Sequence, residues 1–182
     1  MCGMKFIKTK IDGVYVIEYE VWKDERGYFD RLFCKDELAK SGIQFDIVQI
    51  NHSFSKYKGT LRGLHFQKEP KAQDKMAKCL RGALYDVAVD LRKDSPTYGQ
   101  WIAEELSEEN KKMLLVPKGC AHGFQTLTDN CEVIYFMSEF YSPEHSFGIP
   151  WDDPLLGIEW PILNPILSEK DKNWKQFDSP KA

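Results

Sequence analysis

The residues best suited to chemistry lie in segment 61–67, which reads LRGLHFQ. Arg62, His65 and Gln67 stand there among apolar neighbours on a predicted strand, and His65 and Gln67 share one face because strand side chains alternate. Histidine is the side chain that most often acts as a base near neutral pH, since its unperturbed pKa lies close to that range. His65 is therefore a candidate general base. The alternative is a histidine that is hydrogen-bonded in the core.

A second polar cluster occupies segment 116–124, with the sequence VPKGCAHGF. Two glycines bracket His122 after a predicted strand, in a turn where the backbone can approach a ligand closely. Lys118 and His122 are candidates for binding an anion there. A plain loop is the alternative interpretation.

Asp171 lies in segment 167–172, which reads LSEKDK. Ser168, three residues earlier, has the spacing of a helix-capping pair, so one interpretation is the start of a helix. The functional interpretation is a carboxylate that orients the imidazole of His65 and stabilises it once protonated. The spacing cannot decide between the two, because Asp171 and His65 are far apart in the chain.

A catalytic metal is not predicted from the histidines. The chain has four, with neither an H-x-H nor an H-E-x-x-H spacing, so metal ligands would have to converge from distant strands. They are His52, His65, His122 and His145.

The elements that must position these side chains are mostly short strands with β-branched, aromatic or alternating residues. Strands are predicted over 14–19, 45–50, 75–80, 84–91, 101–106, 112–116 and 132–141. Segments 75–80 and 84–91 are predicted to form a hairpin with Gly82 in its turn. Short helices are predicted over 36–41 and after Ser168. Many short strands separated by glycine and proline indicate a sandwich or a barrel, and the alternation does not choose between them.

Composition limits the classes of function. The 182 residues suffice for one domain, 1–182, with 42% hydrophobic and 29% charged residues. A formal charge of -3 gives no basic footprint for nucleic acid. The start of the chain lacks the apolar run of a signal peptide, and no run is long enough to span a membrane. Five widely spaced cysteines indicate reduced thiols and a cytoplasmic location: Cys2, Cys34, Cys79, Cys120 and Cys131.

Six blocks, taken in order and covering nearly the whole chain, give the sequence a specific resemblance. They are 24–29 (DERGYF), 61–67 (LRGLHFQ), 86–92 (DVAVDLR), 117–124 (PKGCAHGF), 148–154 (GIPWDDP) and 167–171 (LSEKD). Together they resemble the dTDP-4-dehydrorhamnose 3,5-epimerase family. The resemblance implies an all-β, cupin-type jelly roll with a few short helices, and a homodimer without metal or organic cofactor. It implies a nucleoside diphosphate 4-keto-6-deoxy sugar as substrate, as in deoxysugar and polysaccharide biosynthesis.

The resemblance also implies roles for individual residues. His65 matches the general base, Asp171 its carboxylate partner, Tyr135 the general acid and Lys75 a lysine near the ketone oxygen. The positions that match substrate-binding residues are Arg62 and His122 for the sugar and diphosphate, Arg26, Gln49 and Asn51 for the nucleotide end, and Phe140 for an aromatic ring against the base.

Three positions depart from the family pattern. Arg31 stands where glutamate is usual, Ile50 where aspartate is common, and Phe136 where lysine is typical. Arginine has only donors, so it cannot accept the thymine N–H, whereas it could donate to the ring nitrogen and the carbonyl oxygen of cytosine. One hypothesis is therefore a preference for a CDP-linked sugar. The alternative is that Arg31 points to solvent or pairs with a neighbour such as Asp30 or Glu25.

Rival functions remain open at this point. An epimerase acting on carbon 3 or carbon 5 alone would keep the same acid–base residues. A sugar ketoisomerase on the same fold fits the spacing of base and acid less well. A non-catalytic sugar-nucleotide-binding protein is the alternative of another class, although binding alone requires no pair of acid and base.

Overall fold

The computed structural model describes residues 3–177, which form thirteen strands and two short α-helices. The strands are β1 (Met4–Lys8), β2 (Tyr15–Tyr19), β3 (Val21–Asp24), β4 (Gly27–Asp30), β5 (Gln49–Ser55), β6 (Leu61–Gln67), β7 (Lys75–Arg81), β8 (Ala83–Asp90), β9 (Trp101–Ser107), β10 (Met113–Val116), β11 (Cys120–Thr126), β12 (Cys131–Met137) and β13 (Ser146–Gly148). The helices are α1 (Lys35–Lys40) and α2 (Glu169–Lys172), and a short 3-10 helix spans Pro143–His145.

Two antiparallel sheets face each other. The six-stranded sheet has the order β1-β2-β10-β7-β12-β5, and the five-stranded sheet has the order β13-β6-β11-β8-β9. Strands β3 and β4 form a separate hairpin. This two-sheet arrangement with crossing connections is a jelly roll of the cupin type, which confirms the predicted fold class.

The inter-sheet core contains residues from both sheets, such as Ala77 and Val133 from one and Ala88 and Phe124 from the other. Each sheet is also covered on its outer face. Leu38 of α1 and Phe45 pack on the six-stranded sheet, while Trp160 and Phe177 pack over the five-stranded one. Both faces of the central strands are therefore buried.

The predicted hairpin over 75–91 is wrong. Strands β7 and β8 exist where expected, but β7 pairs with β10 and β12, whereas β8 pairs with β9 and β11. Gly82, with a φ of +76°, turns the chain from one sheet to the other, and a Cβ there would lie 2.2 Å from Thr128 Oγ1. Glycine therefore marks a corner between sheets here, not a tight hairpin turn.

One other expectation needs correction. The strand predicted over 45–50 begins only at Gln49, because Phe45 packs into the outer core ahead of it. Strand β2 lies inside the sheet between β1 and β10. Among the described cysteines, Cys34, Cys79, Cys120 and Cys131 are free thiols, and Cys2 lies outside the described residues.

Candidate active site

A cavity of about 590 Å³ opens between the two sheets beyond the inter-sheet core. The four predicted catalytic residues, His65, Lys75, Tyr135 and Asp171, all line it. They come from β6, β7, β12 and α2, so the fold brings together side chains that are far apart in sequence.

His65 and Asp171 form a hydrogen-bonded pair in this cavity. His65 Nε2 lies 2.5 Å from Asp171 Oδ1, and the Asp171 side chain is 5% exposed. Ser168 caps α2 by accepting a hydrogen bond of 3.1 Å from the backbone N–H of Asp171. Both interpretations of Asp171 are thus realised, since the capped helix presents the carboxylate to the imidazole.

The pair fixes the tautomer of the neutral imidazole. Burial raises the pKa of Asp171, but the hydrogen bond and charge of His65, together with the hydrogen bonds of Ser168 and Trp174, outweigh this and hold that pKa below its ordinary value. An ionised carboxylate only accepts hydrogen bonds, so in the neutral ring Nε2 of His65 carries the proton and Nδ1 carries the lone pair. A neutral imidazole oriented in this way can act as a base.

Tyr135 faces the cavity from the opposite sheet. Its hydroxyl is 3.0 Å from Ser53 Oγ, and its ring packs against those of His122 and Phe124. Burial raises the pKa of Tyr135 above its ordinary value, although the hydrogen bond with Ser53 opposes the change. The phenol therefore stays protonated at neutral pH and is available as an acid.

Lys75 supplies a buried positive charge beside His65. Its Nζ donates to the backbone carbonyl of His65 at 3.2 Å. Burial lowers the pKa of Lys75 to about 8, and the charge of Asp86 limits the decrease. The ammonium form thus predominates at pH 7.

His122 lies beside His65 on the neighbouring strand β11, because the two histidines are paired in the register. His122 Nε2 contacts the fully buried Asp86 Oδ1 at 2.7 Å. The backbones of β6 and β11 come close where Gly63 meets Gly123, and a Cβ on Gly63 would lie 2.5 Å from Gly123 Cα. This close approach brings the two histidines into one cavity wall.

The structure separates the predicted substrate-binding residues into two groups. Arg62, Asn51 and His122 line the cavity. Gln49 stands behind it, donating to Asn51 Oδ1 at 2.9 Å and accepting from the backbone N–H of Tyr141 at 3.2 Å. Gln49 thus supports the cavity wall.

Arg26 and Phe140 are not among the residues that line the cavity of this chain, and their predicted contacts with the nucleotide stay a prediction. Arg26 is in the β3–β4 hairpin, where Nη2 pairs with Asp24 Oδ2 at 2.5 Å. Phe140 is 59% exposed, and its backbone carbonyl accepts from Gln67 Nε2. The next residue, Tyr141, is the one that lines the cavity.

Arg31 also lies outside the cavity lining. Its Nη1 donates to Glu37 Oε1 of α1 at 2.9 Å. Of the two interpretations of Arg31, the structure supports pairing with an acidic neighbour, and Glu37 is such a partner. The other two departures are not among the residues that line the cavity: Phe136 packs in the outer core, and Ile50 is 54% exposed. Lys118 is not in the lining either, and its backbone N–H donates to Asp74 Oδ1.

Sequence reasoning missed Ser53, Gln73, Tyr141 and Lys170, which also line the cavity. Lys170 adjoins Asp171 on α2, and Tyr141 follows Phe140, so their position next to predicted site residues was the only signal in the sequence for these two.

Within residues 3–177 no group of three or more histidine, cysteine or acidic side chains could hold a metal ion. No helix in that part of the chain is long and apolar enough to cross a membrane.

Comparison with known proteins agrees with this geometry. The family model described as dTDP-4-dehydrorhamnose 3,5-epimerase matches residues 8–179. The chain belongs to this epimerase family. An epimerase of the family from Methanothermobacter thermautotrophicus is 50% identical over 96% of this chain and 95% of its own length.

Two solved structures of family epimerases carry ligands. The one from Bacillus anthracis, with TDP and pyrophosphate bound, is 46% identical with a TM-score of 0.94, covering 96% of this chain and 100% of that one. The epimerase from Legionella pneumophila, in complex with dTDP-4-keto-L-rhamnose, is 42% identical with a TM-score of 0.91, covering 95% and 92%. Nearly the whole chain is thus similar in structure to these two family epimerases.

Proposed function

We propose that this protein epimerises carbons 3 and 5 of a dTDP-linked 4-keto-6-deoxy sugar by removing a proton and returning one to the opposite face. One observation carries the proposal. The base His65 and the acid Tyr135 line the same cavity from opposite sheets, so a sugar ring bound between them has one on each side.

Proton abstraction would begin at Nδ1 of His65, since Nε2 is held by Asp171. A carbon beside a ketone is a weak acid, and the barrier is dominated by the charge that develops on the carbonyl oxygen. A fixed cation at that oxygen is the large electrostatic contribution, and the buried ammonium of Lys75 can supply it. The step needs no electron transfer, and Lys75 supplies the positive charge that a metal ion could otherwise provide, so we propose that the enzyme uses neither metal nor organic cofactor.

Inversion requires a new proton from the other face. The phenol of Tyr135 can supply it, and Ser53 can donate a hydrogen bond to the resulting phenolate. The positive charge of Arg62 also favours the phenolate, because it lowers the pKa of Tyr135 against the larger effect of burial. His65 and Tyr135 return to their starting states by proton exchange with solvent.

The cavity suits an anionic sugar nucleotide. Arg62, His122 and Lys170 line it and can hold a diphosphate, while Tyr141 offers a ring for stacking on a base. We propose thymidine as the nucleoside because the two family structures above hold TDP or a dTDP-sugar. Arg31 pairs with Glu37 and is not among the residues that line the cavity of this chain, so the proposal does not rely on Arg31 to select the base.

The proposal is tested by incubating the protein with dTDP-4-keto-6-deoxyglucose in deuterium oxide. We expect deuterium at carbons 3 and 5 and an inverted product. For Tyr135→Phe we expect deuterium exchange to persist while inverted product falls roughly 10²–10⁴-fold, because the acid on the far face is lost.

Other results would support the rival functions. Exchange at a single carbon indicates a mono-epimerase, and binding without exchange indicates a sugar-nucleotide-binding protein. Unchanged product formation by Tyr135→Phe would remove this tyrosine from the mechanism. Ser53→Ala is the matched control, since it keeps the phenol and removes only its hydrogen-bond partner.

We further propose that the protein is a homodimer. The β3–β4 hairpin projects as its own sheet with Tyr28 and Phe29 58% and 62% exposed. Ile50 and Phe54 are also exposed on β5, an edge strand of the six-stranded sheet. Hairpins that pair across a two-fold axis would cover such surfaces and could bring Arg26 to the partner's cavity.

Light scattering at micromolar concentration is expected to give twice the mass of the 21.2 kDa chain. Phe29→Asp should shift the population towards monomer, because it places a charge in the covered apolar surface. A monomeric wild-type protein would contradict the dimer.

The free thiols support a further proposal, that this single-domain chain acts in the cytoplasm.

A further inference from the structure

Trp174 contacts both members of the His65–Asp171 pair. Its indole Nε1–H donates to Asp171 Oδ1 at 3.2 Å, the same oxygen that lies 2.5 Å from His65 Nε2. The indole ring centroid is 5.9 Å from that of His65, with 69° between the planes. Trp174 is not among the described residues that line the cavity, so it touches the pair from outside.

The position of the indole depends on a glycine. Gly148 pairs with His65 in the register between β13 and β6. A Cβ on Gly148 would lie 2.3 Å from Cε2 of Trp174 and within 2.6 Å of two further indole atoms. The ring therefore occupies space that any larger residue at 148 would fill.

We propose that Trp174 is a positioning residue, which fixes the orientation of His65 and limits how strongly Asp171 holds the imidazole proton. The inference rests on the proposed function in one respect, that His65 is the base. It concerns how that base is held, since Trp174 itself touches no reacting atom.

The physical reason is that two donors share one carboxylate oxygen. Burial raises the pKa of Asp171, and the hydrogen bonds from His65, Ser168 and Trp174 lower it. Without the indole N–H, the carboxylate would attract the imidazolium proton more strongly, and His65 would become free as a base only at higher pH. Without the ring, the imidazole would lose the edge contact that restricts its rotation.

Several other charged or titratable groups surround His65, and a change at Trp174 leaves all of them in place. They are Asp171 and Lys170 on α2, Lys75 on β7, His122 on β11 and Arg62 on β6 itself. Lys170 Nζ lies 5.2 Å from the Trp174 ring centroid, and phenylalanine would keep a ring beneath it.

Trp174→Phe removes the donor and keeps an aromatic ring. We expect the acidic limb of kcat/KM against pH to move up by about 0.5 pH unit, so that kcat/KM on that limb falls about threefold. The affinity for dTDP should be unchanged, because Trp174 lies outside the cavity lining. A pH profile that coincides with that of the wild type would overturn the proposal.

A double-mutant cycle tests the ring separately. Gly148→Ala should displace the indole and lower kcat about tenfold while dTDP still binds. Trp174→Ala should cause a similar loss, and adding Gly148→Ala to it should cost no more than about twofold further, since no indole remains to be displaced. If the losses of kcat from Gly148→Ala and Trp174→Ala multiply in the double variant, the two substitutions act independently. Displacement of the indole would then not be their shared cause.

Trp160→Phe is the matched control for the loss of a buried indole donor. Trp160 Nε1 donates to the backbone carbonyl of Trp151 at 2.7 Å in the outer core. We expect it to lower the melting temperature without moving the pH profile. An equal shift of the acidic limb in this variant would mean that general destabilisation, not contact with Asp171, is the cause.

NMR titration of the His65 ring without substrate separates this inference from the proposed function. The His65 titration midpoint in Trp174→Phe should rise by about 0.5 pH unit relative to the wild type, whichever reaction the enzyme catalyses. An unchanged midpoint overturns the positioning role even if the protein epimerises the sugar. A raised midpoint supports it even if the sugar is not a substrate.

Discussion

Replacement of His65 by alanine is expected to abolish solvent exchange at both carbons of the sugar, with a loss of roughly 10⁴-fold. His65 and His122 both line the cavity, and each is paired with a carboxylate through Nε2. His122 is not expected to take over, because its side chain is 5% exposed, against 35% for His65. Exchange is measured by deuterium incorporation, and dTDP titration shows whether binding survives.

Asp171→Asn provides the graded comparison. It leaves the imidazole in place but replaces an ionised acceptor with a neutral amide, so orientation and stabilisation of the imidazolium are weakened together. The loss should be smaller than for His65→Ala. Near-normal exchange by His65→Ala would show that another group is the base.

Replacement of Lys75 by methionine is expected to lower kcat roughly 10²–10³-fold and, at the same time, to stabilise the fold. Lys75 is 8% exposed, and burial lowers its pKa from the ordinary 10.5 to about 8. Because one pKa unit corresponds to about 1.4 kcal/mol, the buried ammonium costs about 3 kcal/mol at neutral pH. Methionine fills similar space without this cost.

The net gain should be smaller, about 1–2 kcal/mol, because Asp86 loses a neighbouring positive charge. For a chain of this size that corresponds to a rise of roughly 3–6 °C in melting temperature. The pKa of Lys75 is lower in the folded state than in the unfolded state. The free-energy cost of the buried ammonium is therefore fully present below pH 8 and disappears as the pH rises towards 10.5. The gain from Lys75→Met should therefore shrink over that window.

Lys78 is the matched control on the same strand. Lys78 is also buried, and burial likewise lowers its pKa to about 8. Its side chain is on the outer face of the six-stranded sheet, where Nζ lies 3.7 Å from Asp30 Oδ2. Lys78→Met should leave kcat within about twofold of the wild type. Equal losses from both variants, or a Lys75→Met enzyme with normal kcat, would remove the electrostatic role of Lys75.

The sequence predicts the strands better than their pairing. The alternation of residues located β7 and β8 within a residue or two. It could not show that the chain crosses to the other sheet at Gly82, because glycine occurs both in hairpin turns and at crossings between sheets. The start of β5 was missed because Phe45 is apolar for a different reason, contact with the outer core.

For the site, residue type pointed to His65, but its partner is 106 positions away and no local pattern joins them. The family resemblance supplied Tyr135 and Lys75 and favoured one of the two interpretations of Asp171, and the cavity contains all three. Trp174 carried no signal, since its role depends on a tertiary contact with Asp171 and on the absent side chain of Gly148.

The proposed base and acid belong to different sheets, and this division has a mechanical consequence. The gap between His65 and Tyr135 is set by the layer of apolar side chains that separates the sheets, which includes Ala77 and Ala88. The thickness of this core sets the distance between the side chains of His65 and Tyr135. That distance decides which carbon of the sugar ring lies within reach of both. A larger residue in that layer would alter the reaction outcome without touching the sugar, so selectivity among ring carbons can evolve through packing alone.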